Sequence, residues 1–284
     1  MRLASYSFRG RESYGVISEK DGIVDLGTRL EYGTLRELIG ANALDAAQEL
    51  SGMDPDCSLG DISLRLPIPA PEKIICVGIN YPEREEEYKG ILKRGSYPNL
   101  FVRFPLSFSS PGQDIIRPKV SDQLDYEGEI VLVIGKAGRH IPRRGALSHV
   151  AGITAANEGT VRDWVNHGTK NITQGKNFER SGSVGPWLVT SDELDPGQDI
   201  RVTTKVNEEM RQSDSTKNLL WPFDELLSYI STFITLVPGD LILTGTPVGA
   251  GAHMNPPKYL VPGDVVTVEV EGVGILRNKV TDEM

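Results

Sequence analysis

The sequence predicts an α+β fold that is mostly β-sheet, in which a small leading domain precedes one large domain. From residue 73 onward, short β-branched segments alternate with Gly and Pro, whereas helical patterns are few. The stretch Leu66-Pro-Ile-Pro-Ala-Pro cannot continue a helix or a central strand, so it separates the two parts. The sequence has neither a strict βαβ alternation nor an internal repeat, which favours a mixed sheet.

The proline-rich stretch sets the predicted domain boundaries. We expect a small N-terminal α/β domain over residues 1–66, a linker over 67–72 and the large domain over 73–284. In the small domain, apolar segments that begin at Tyr14 and Ile23 predict two short strands joined by a hairpin turn.

Helices are predicted at only a few places. Thr34 with Glu37 three residues later is typical of a capped helix start, and a second helix is expected over 41–50. In the large domain, helical patterns cover 143–150 and 223–232. The predicted strands of that domain are Ile74–Val77, Ile130–Ile134, Gly152–Ala155, Leu188–Thr190, Arg201–Val206, Leu241–Thr244, Val265–Val270 and Ile275–Val280.

Composition excludes several classes of function. The net charge of −9, with no run of Lys or Arg, argues against nucleic acid as a partner. No apolar run approaches the roughly 20 residues of a membrane helix, and the first residues lack the apolar core of a signal peptide. The cysteines Cys57 and Cys76 are too few for a disulfide framework, so we expect a cytoplasmic protein.

The stretch from Asp125 to Val133 carries the first candidate site. It is predicted as one strand, which would point Asp125, Glu127 and Glu129 to the same face. Neighbouring carboxylates repel one another unless a cation compensates them, and Mg²⁺ prefers carboxylate oxygens. The alternative is a solvated edge strand without a ligand.

Two further segments offer polar groups that could reach the same site. Glu158 ends an apolar strand and Arg162 follows four residues on, which in a helix would form either a site face or a plain surface salt bridge. Lys176 stands in a Gly-containing turn, where it is either solvated or able to bind an anionic oxygen. The Gly-rich stretch around Thr246 lacks the lysine of a phosphate loop, so we expect a strand and a turn that cradles a carboxylate.

Taken together, these segments resemble the fumarylacetoacetate hydrolase family, in particular its bacterial short-chain branch. The resemblance runs from Lys73 to Val280 and implies a large mixed β-sandwich roll, a small N-terminal domain and a homodimer. The matching segments are Ile75-Cys-Val-Gly-Ile-Asn-Tyr, Leu124-Asp-Tyr-Glu-Gly-Glu, Gly175-Lys, Gly185-Pro-Trp, Val206-Asn, Arg211-Gln, Gly239-Asp, Thr244-Gly-Thr-Pro and Gly263-Asp.

The resemblance implies roles for individual residues. Glu127 and Glu129 match carboxylate ligands of Mg²⁺, with Mn²⁺ or Ca²⁺ as possible substitutes, and Glu158 stands where the family usually has an Asp. Lys176 matches a lysine near the substrate oxygens. The residues that match substrate-binding positions are Arg162, Thr246, Arg211 and Gln212, although the last two are also compatible with a solvated hairpin edge.

One segment departs from the family pattern. Members that hydrolyse or decarboxylate resemble Gly-x-Asn-Tyr-x-x-His-x-x-Glu, in which a His–Glu pair activates water. Here Arg84 replaces the histidine and Glu87 keeps the glutamate position. Arginine cannot act as a base, although it could pair with Glu87 or bind a substrate carboxylate. The acidic run around it is equally compatible with a solvated helix face or a lid. His167 and His253 could approach the site, but we expect structural roles for both.

The function implied is a Mg²⁺-dependent enzyme that acts on a small 2-oxo or 2,4-dioxo acid through an enolate, in the catabolism of aromatic compounds or sugar acids. C–C bond hydrolysis leads, with Lys176, Glu87 and Arg84 as catalytic residues. The alternatives are an isomerase or decarboxylase, a hydratase or dehydratase, and a catalytically silent dicarboxylate binder.

Overall fold

The computed structural model describes residues 1–20, 22–87, 95–168 and 171–284, without the side chains of Glu85 and Glu86. Strands dominate it, as the sequence predicts. The strands are β1 (Arg2–Phe8), β2 (Arg11–Ser18), β3 (Gly22–Asp25), β4 (Cys57–Ser58), β5 (Ser63–Leu64), β6 (Ile74–Gly78), β7 (Asn99–Val102), β8 (Phe108–Ser109), β9 (Ile115–Arg117), β10 (Leu124–Asp125), β11 (Gly128–Ile134), β12 (Val150–Asn157), β13 (Thr160–Val161), β14 (Gly182–Thr190), β15 (Arg201–Val206), β16 (Glu209–Ser215), β17 (Leu241–Leu243), β18 (Val265–Val270) and β19 (Gly274–Asp282).

The helices are short. The α-helices are α1 (Leu35–Gly40), α2 (Leu44–Leu50), α3 (Arg84–Glu87), α4 (Thr173–Lys176) and α5 (Phe223–Ile230). The 3₁₀ helices are Leu26–Thr28, Leu59–Asp61, Pro105–Ser107, Ala146–His149, Arg162–Asn166, Thr216–Asn218 and Gly251–His253. Among the described residues, no helix is long and apolar enough to cross a membrane.

Two sheets form the body of the protein. Within the described ranges, the larger sheet has twelve strands in the order β4-β3-β2-β1-β14-β12-β11-β17-β6-β7, with β5 beside β1 and β8 beside β14. The smaller sheet has the order β16-β15-β18-β19-β9, and β10 pairs with β13. Strand β11 lies inside the larger sheet, antiparallel to both β12 and β17.

The apolar run of β11 is explained by burial on both faces. Ile130 and Leu132 belong to a core that also contains Val202 and Val268 of the smaller sheet. Val131 alternates with them and packs in a second core with Leu241 and with residues of the N-terminal segment. A strand covered on both sides has no solvated face, so its sequence is continuously apolar.

The predicted hairpin and first helix are confirmed. Strands β2 and β3 pair antiparallel with Ser18 opposite Gly22. The Thr34 hydroxyl accepts a hydrogen bond from the Glu37 N–H at 3.2 Å, which satisfies a free donor at the start of α1. Glu37 in turn accepts from the N–H of Gly33 at 2.7 Å.

Two local predictions are wrong. The predicted strand from Asp125 to Val133 is interrupted at Tyr126 and Glu127, because side chains take over the backbone donors there. The Tyr126 N–H donates to the Asp125 carboxylate at 2.9 Å, and the Glu127 N–H donates to Asn157 Oδ1 at 3.0 Å. The helix predicted over 143–150 is reduced to the 3₁₀ turn Ala146–His149.

The N-terminal segment continues the main sheet. Strand β1 pairs with β14, with Arg2 opposite Val189 and Leu3 opposite Leu188. The division into domains at 67–72 therefore stays a proposal about chain segments, since strand pairing runs across it. For function, the consequence is that β14 and β12 are held firmly from both sides.

Candidate metal centre

Strand pairing brings three glutamates together. Glu127 and Glu129 flank the first residue of β11, and Glu158 follows the last residue of β12. Because Gly128 lies opposite Asn157 in the antiparallel pair, the Glu158 N–H donates to the Glu127 carbonyl at 2.7 Å. One carboxylate oxygen from each of the three side chains lies within 4.8 Å of the others. All three are buried, with at most 3% of the residue surface exposed.

Lys176 closes one side of this cluster. It ends α4, and its ammonium group contacts the Glu127 carboxylate and donates to Glu158 Oε2 at 2.9 Å. The same ammonium lies 5.0 Å from the ring centroid of Phe101. Burial by itself lowers the pKa of Lys176, but the two carboxylates outweigh it and raise that pKa. Lys176 is therefore a fixed positive charge.

Glu127 is compensated by several cations at once. Its Oε1 accepts from Arg162 Nη2 at 2.8 Å and from Arg84 Nη2 at 3.2 Å, and its Oε2 accepts from the Thr160 hydroxyl at 3.0 Å. Burial favours the neutral acid, yet Lys176 and the two arginines overcome it and hold the pKa of Glu127 well below its usual range. Glu127 is therefore an anion.

Glu129 lies in the opposite environment. Its Oε2 accepts from the Gly245 N–H at 2.7 Å. Burial, together with repulsion from Glu158 and Glu127, raises the pKa of Glu129 well above its ordinary value. Glu158 is also under-compensated, because its Oε1 is buried and has no hydrogen-bond partner among the described residues. These oxygens fit a hard divalent cation, which binds carboxylate oxygen and neutralises clustered acids.

Asp125 does not join the cluster, contrary to the predicted shared face. Its carboxylate accepts from Arg162 Nε at 2.8 Å and from the N–H groups of Gly251 and Ala252 at 2.9 and 3.0 Å. The chain between Glu158 and Arg162 is extended through β13, so the helical face expected for that pair is not formed. Asp125 instead ties Arg162 to the loop after Thr246.

In the segment that departs from the family pattern, Arg84 is buried. Arg84 begins α3, is 2% exposed and contacts the Glu87 carboxylate as well as Glu127. Glu87 also accepts from the Gly249 N–H at 2.7 Å. Glu83 is exposed. Arg84 and Glu87 therefore link α3 to the cluster and to the Gly249 loop.

The residues expected to bind substrate divide into two groups. Gln212 is buried: its amide donates to the Thr246 hydroxyl and to the Pro247 carbonyl, both at 2.8 Å, and accepts from the Gly128 N–H at 2.9 Å. The Thr246 hydroxyl donates to the Gly128 carbonyl at 2.9 Å. These hydrogen bonds fix the turn onto β11. Gln212 therefore does not lie on a solvated hairpin edge, which was the alternative that the sequence left open.

Arg211 stays a candidate for substrate binding. Its guanidinium lies 3.1 Å from Met254 Sδ and 3.0 Å from Glu209 Oε2, and 5.9 Å from the Tyr126 ring centroid. Its Nε is buried and has no hydrogen-bond partner in the described part of the chain. Arg162, by contrast, lies directly on the cluster through Glu127.

Sequence reasoning missed Arg103, a buried cation behind the cluster. Its guanidinium donates to the Gly159 carbonyl at 3.0 Å, to the Ser181 hydroxyl at 3.0 Å and to the Ser107 carbonyl at 3.2 Å. These contacts hold the backbone next to Glu158. Its partners are mainly backbone and hydroxyl oxygens from distant segments, so no charge pattern in the sequence identified it.

The fold and the cluster together define a class: a β-rich domain that buries a carboxylate site fit for a divalent cation beside fixed positive charges. A family model described as the fumarylacetoacetate (FAA) hydrolase C-terminal domain matches residues 73–281. The chain therefore belongs to the fumarylacetoacetate hydrolase family.

Individual relatives support this membership over nearly the full length. A mitochondrial oxaloacetate tautomerase of Rattus norvegicus is 34% identical over 91% of this chain and 84% of its own. A fumarylacetoacetate hydrolase from Exiguobacterium antarcticum matches with 35% identity, full coverage of both chains and a TM-score of 0.83. A maleylpyruvate hydrolase from Sphingobium, in complex with manganese and pyruvate, matches with 25% identity, full coverage of both chains and a TM-score of 0.81.

The first prediction concerns the metal ligands. Glu129→Gln should weaken Mn²⁺ or Mg²⁺ binding by more than about a hundredfold, since even residues outside the ligand shell cost about 10–100-fold. The melting temperature without metal should change little, because a carboxyl with a raised pKa is already neutral and an amide replaces it closely. Isothermal titration calorimetry measures the first quantity and thermal unfolding the second. Glu49→Gln, at an exposed position, is the control. If Glu129→Gln binds metal as tightly as the wild type does, Glu129 is not a metal ligand.

The second prediction concerns pH. Because the pKa of Glu129 is raised, the metal-free site holds a proton that must leave when a cation binds. Metal affinity should therefore fall as the pH drops, by up to about tenfold per pH unit below that pKa. Calorimetry in two buffers of different protonation enthalpy measures the protons released. Binding that releases no proton at acid pH contradicts this assignment.

Proposed function

We propose that this protein catalyses keto–enol tautomerisation of a small 2-oxo dicarboxylic acid, with a divalent cation held by Glu127, Glu129 and Glu158. One observation carries the choice of reaction. Arg84 stands at the family's histidine position and pairs with both Glu87 and Glu127. A buried guanidinium cannot activate water, so α3 offers no His–Glu pair for hydrolysis. Tautomerisation needs no water as a reactant.

The side chains around the cluster suit the binding of an anionic 2-oxo acid. When bound, the divalent cation would polarise the 2-carbonyl group of the substrate. Lys176, fixed as an ammonium by Glu127 and Glu158, would stabilise negative charge that develops on the carbonyl oxygen. Arg162, which is anchored on Asp125 and Glu127, adds a positive charge that would favour a bound carboxylate.

The relatives support the same substrate class. The tautomerase of Rattus norvegicus acts on oxaloacetate by its name, and the Sphingobium structure holds pyruvate with manganese. Both molecules are 2-oxo acids. We therefore propose oxaloacetate or a similar dicarboxylate as substrate, and Mg²⁺ or Mn²⁺ as the cation.

C–C bond hydrolysis, the leading expectation from the sequence, remains the second candidate. It is supported by the hydrolases among the structural neighbours and by Glu87, which keeps the family's glutamate position. Glu87 is already bound by Arg84 and by the Gly249 N–H, so water activation would first require these contacts to break. If the protein is a hydrolase, we propose that it acts in catabolism.

We also propose that the protein is a cytoplasmic homodimer. Strand β7 ends the larger sheet, and large apolar side chains are exposed beside it, at Val102, Phe104, Leu106 and Phe233. Such a patch is typical of an interface between subunits. Both cysteines, Cys57 and Cys76, are free thiols, as expected in a reducing compartment.

The third prediction tests the reaction. Purified protein with Mg²⁺ or Mn²⁺ should accelerate the interconversion of keto and enol oxaloacetate, which the ultraviolet absorbance of the enol follows. Chelation by EDTA and the Glu129→Gln substitution should each abolish the acceleration, whereas Glu49→Gln should not. Metal-dependent release of pyruvate from acylpyruvates without tautomerisation would favour the hydrolase. Binding of oxalate without turnover of any substrate would identify a silent binder.

The fourth prediction tests the role of Arg84. Arg84→His restores a His–Glu pair with Glu87 and removes one positive charge from Glu127. We expect hydrolysis of an acylpyruvate to appear or to rise by about tenfold or more, toward the range of general-base catalysis. Arg84→Lys, which keeps the charge, is the control and should remain without hydrolysis. A folded, metal-binding Arg84→His variant that does not hydrolyse would show that more than this residue separates the two reactions.

A further inference from the structure

The proposed tautomerisation requires a group that takes a proton from carbon and gives it back. The three glutamates are assigned to the cation in this proposal, and the positive side chains beside them do not offer such a group. Glu127 and Glu158 keep Lys176 protonated, and an ammonium nitrogen has no lone pair that could accept a proton. Arg84 and Arg162 are guanidinium groups, which stay protonated in proteins. These residues can bind negative charge, but they cannot carry the proton.

Glu87 is also committed elsewhere. It accepts from the Gly249 N–H at 2.7 Å and contacts the guanidinium of Arg84, so both of its oxygens take part in fixing α3 to the loop. A carboxylate in this position anchors the segment. A proton carrier must therefore come from another element of the site wall.

The turn Gly251–His253 is such an element, and it is fixed on both sides. The N–H groups of Gly251 and Ala252 donate to the Asp125 carboxylate. On the other side of His253, the Met254 sulfur accepts from the Arg211 guanidinium at 3.1 Å. The backbone of His253 is therefore held between two anchors of the site.

The side chain of His253 is half-buried. The groups that act on it electrostatically are Glu87 and Arg84 from α3, Arg162 and Asp125. Arg84 and Arg162 are the same two guanidinium groups that donate to Glu127. The Asp125 carboxylate that binds Gly251 and Ala252 also binds Arg162, so the turn that carries His253 lies next to a cation that contacts Glu127.

The other histidines of the described chain are His140, His149 and His167. His140 is exposed, whereas His149 is partly buried and its Nδ1 lies 2.9 Å from the Lys136 carbonyl. His167 is exposed as well and stacks on Trp164 with ring centroids 4.0 Å apart. Only His253 combines partial burial with the charges of the site in the part of the chain that the structure describes.

Burial lowers the pKa of His253 below its ordinary value. Glu87 opposes this shift, whereas Arg84 and Arg162 reinforce it. The lowered pKa favours the neutral imidazole, the form that can take up a proton. The ring can also return that proton, as a general acid–base catalyst must.

We infer that His253 is the proton carrier of this site, an inference that rests on the proposed tautomerisation. The C3–H bond of the 2-oxo acid breaks, its electron pair forms the C2–C3 double bond, and the carbonyl π pair moves to the oxygen on C2. The proton goes to a ring nitrogen of His253. It returns to that oxygen, which gives the enol, or to C3, which gives back the keto acid.

The experiment compares the full-length protein with His253→Gln, His253→Ala and the control His149→Gln. Metal-dependent exchange of the C3 hydrogens of oxaloacetate in D₂O, followed by proton NMR, reports the proton step. In both His253 variants kcat for exchange should fall by about a hundredfold or more, with KM changed by less than about threefold. His149→Gln should behave as the wild type, because His149 precedes β12 at the end of the strand opposite Glu158.

Two readouts separate proton transfer from a structural role. Added imidazole should restore exchange in His253→Ala but not in His253→Gln, where the cavity stays filled. With Mg²⁺ kept saturating at every pH, the acid limb of the kcat profile, where the neutral imidazole is lost, should disappear in both variants. Mg²⁺ affinity and melting temperature should stay at the wild-type values, since His253 is not a metal ligand.

The outcomes distinguish the two proposals. A wild-type protein that exchanges, with His253 variants that exchange equally well, overturns the role of His253 and leaves the tautomerase intact. Loss of activity together with loss of Mg²⁺ affinity, without rescue by imidazole, assigns His253 a structural role and also overturns the inference. A wild-type protein without exchange overturns the proposed function and the inference with it.

Discussion

The site depends on three buried carboxylates, of which one oxygen each lies within 4.8 Å of the others. Removing a charge from water costs several kcal/mol per ion, and like charges in one pocket add repulsion to that cost. The chain offsets it by converging on the cluster from five places: β11, β12, α4, α3 and the turn after β13. Each of these contributes either an acid or a cation, so the site could not form if one strand pair were out of register.

The cations are distributed unevenly over the cluster, and this asymmetry prepares it for metal. Glu127 is surrounded by Lys176, Arg162 and Arg84, whereas Glu129 is bonded by the Gly245 N–H. The result is one carboxyl group whose pKa is held well below its usual range and one whose pKa is raised well above it. A divalent cation can replace that proton, and Glu158 offers an oxygen without another partner in the described chain. In the proposed function, the same fixed charges would surround the anionic substrate.

Arg84 keeps the contacts between α3 and the cluster but does not offer the acid–base chemistry of a histidine. It keeps α3 attached to the cluster and holds Glu87 against the Gly249 loop. A histidine in this position could pass a proton to or from water, but a guanidinium cannot. This difference supports the proposed function, in which a proton moves within the substrate and no water is activated. The Gly251–His253 turn, anchored on Asp125, carries the imidazole that we infer transfers this proton.

The sequence by itself determined the local features. The apolar run of β11, the Thr34 cap of α1 and the spacing of Glu127 and Glu129 are properties of neighbouring residues, and all could be read from the chain. Tertiary structure decided which groups meet. Backbone donors captured by Asp125 and Asn157 interrupt the predicted strand, so Asp125 turns to Arg162 instead of the glutamates. The burial of Arg84 and the position of His253 depend on contacts between segments more than a hundred residues apart, such as Glu87 with Gly249. Local spacing does not encode contacts of that kind, because they follow from sheet pairing and loop closure.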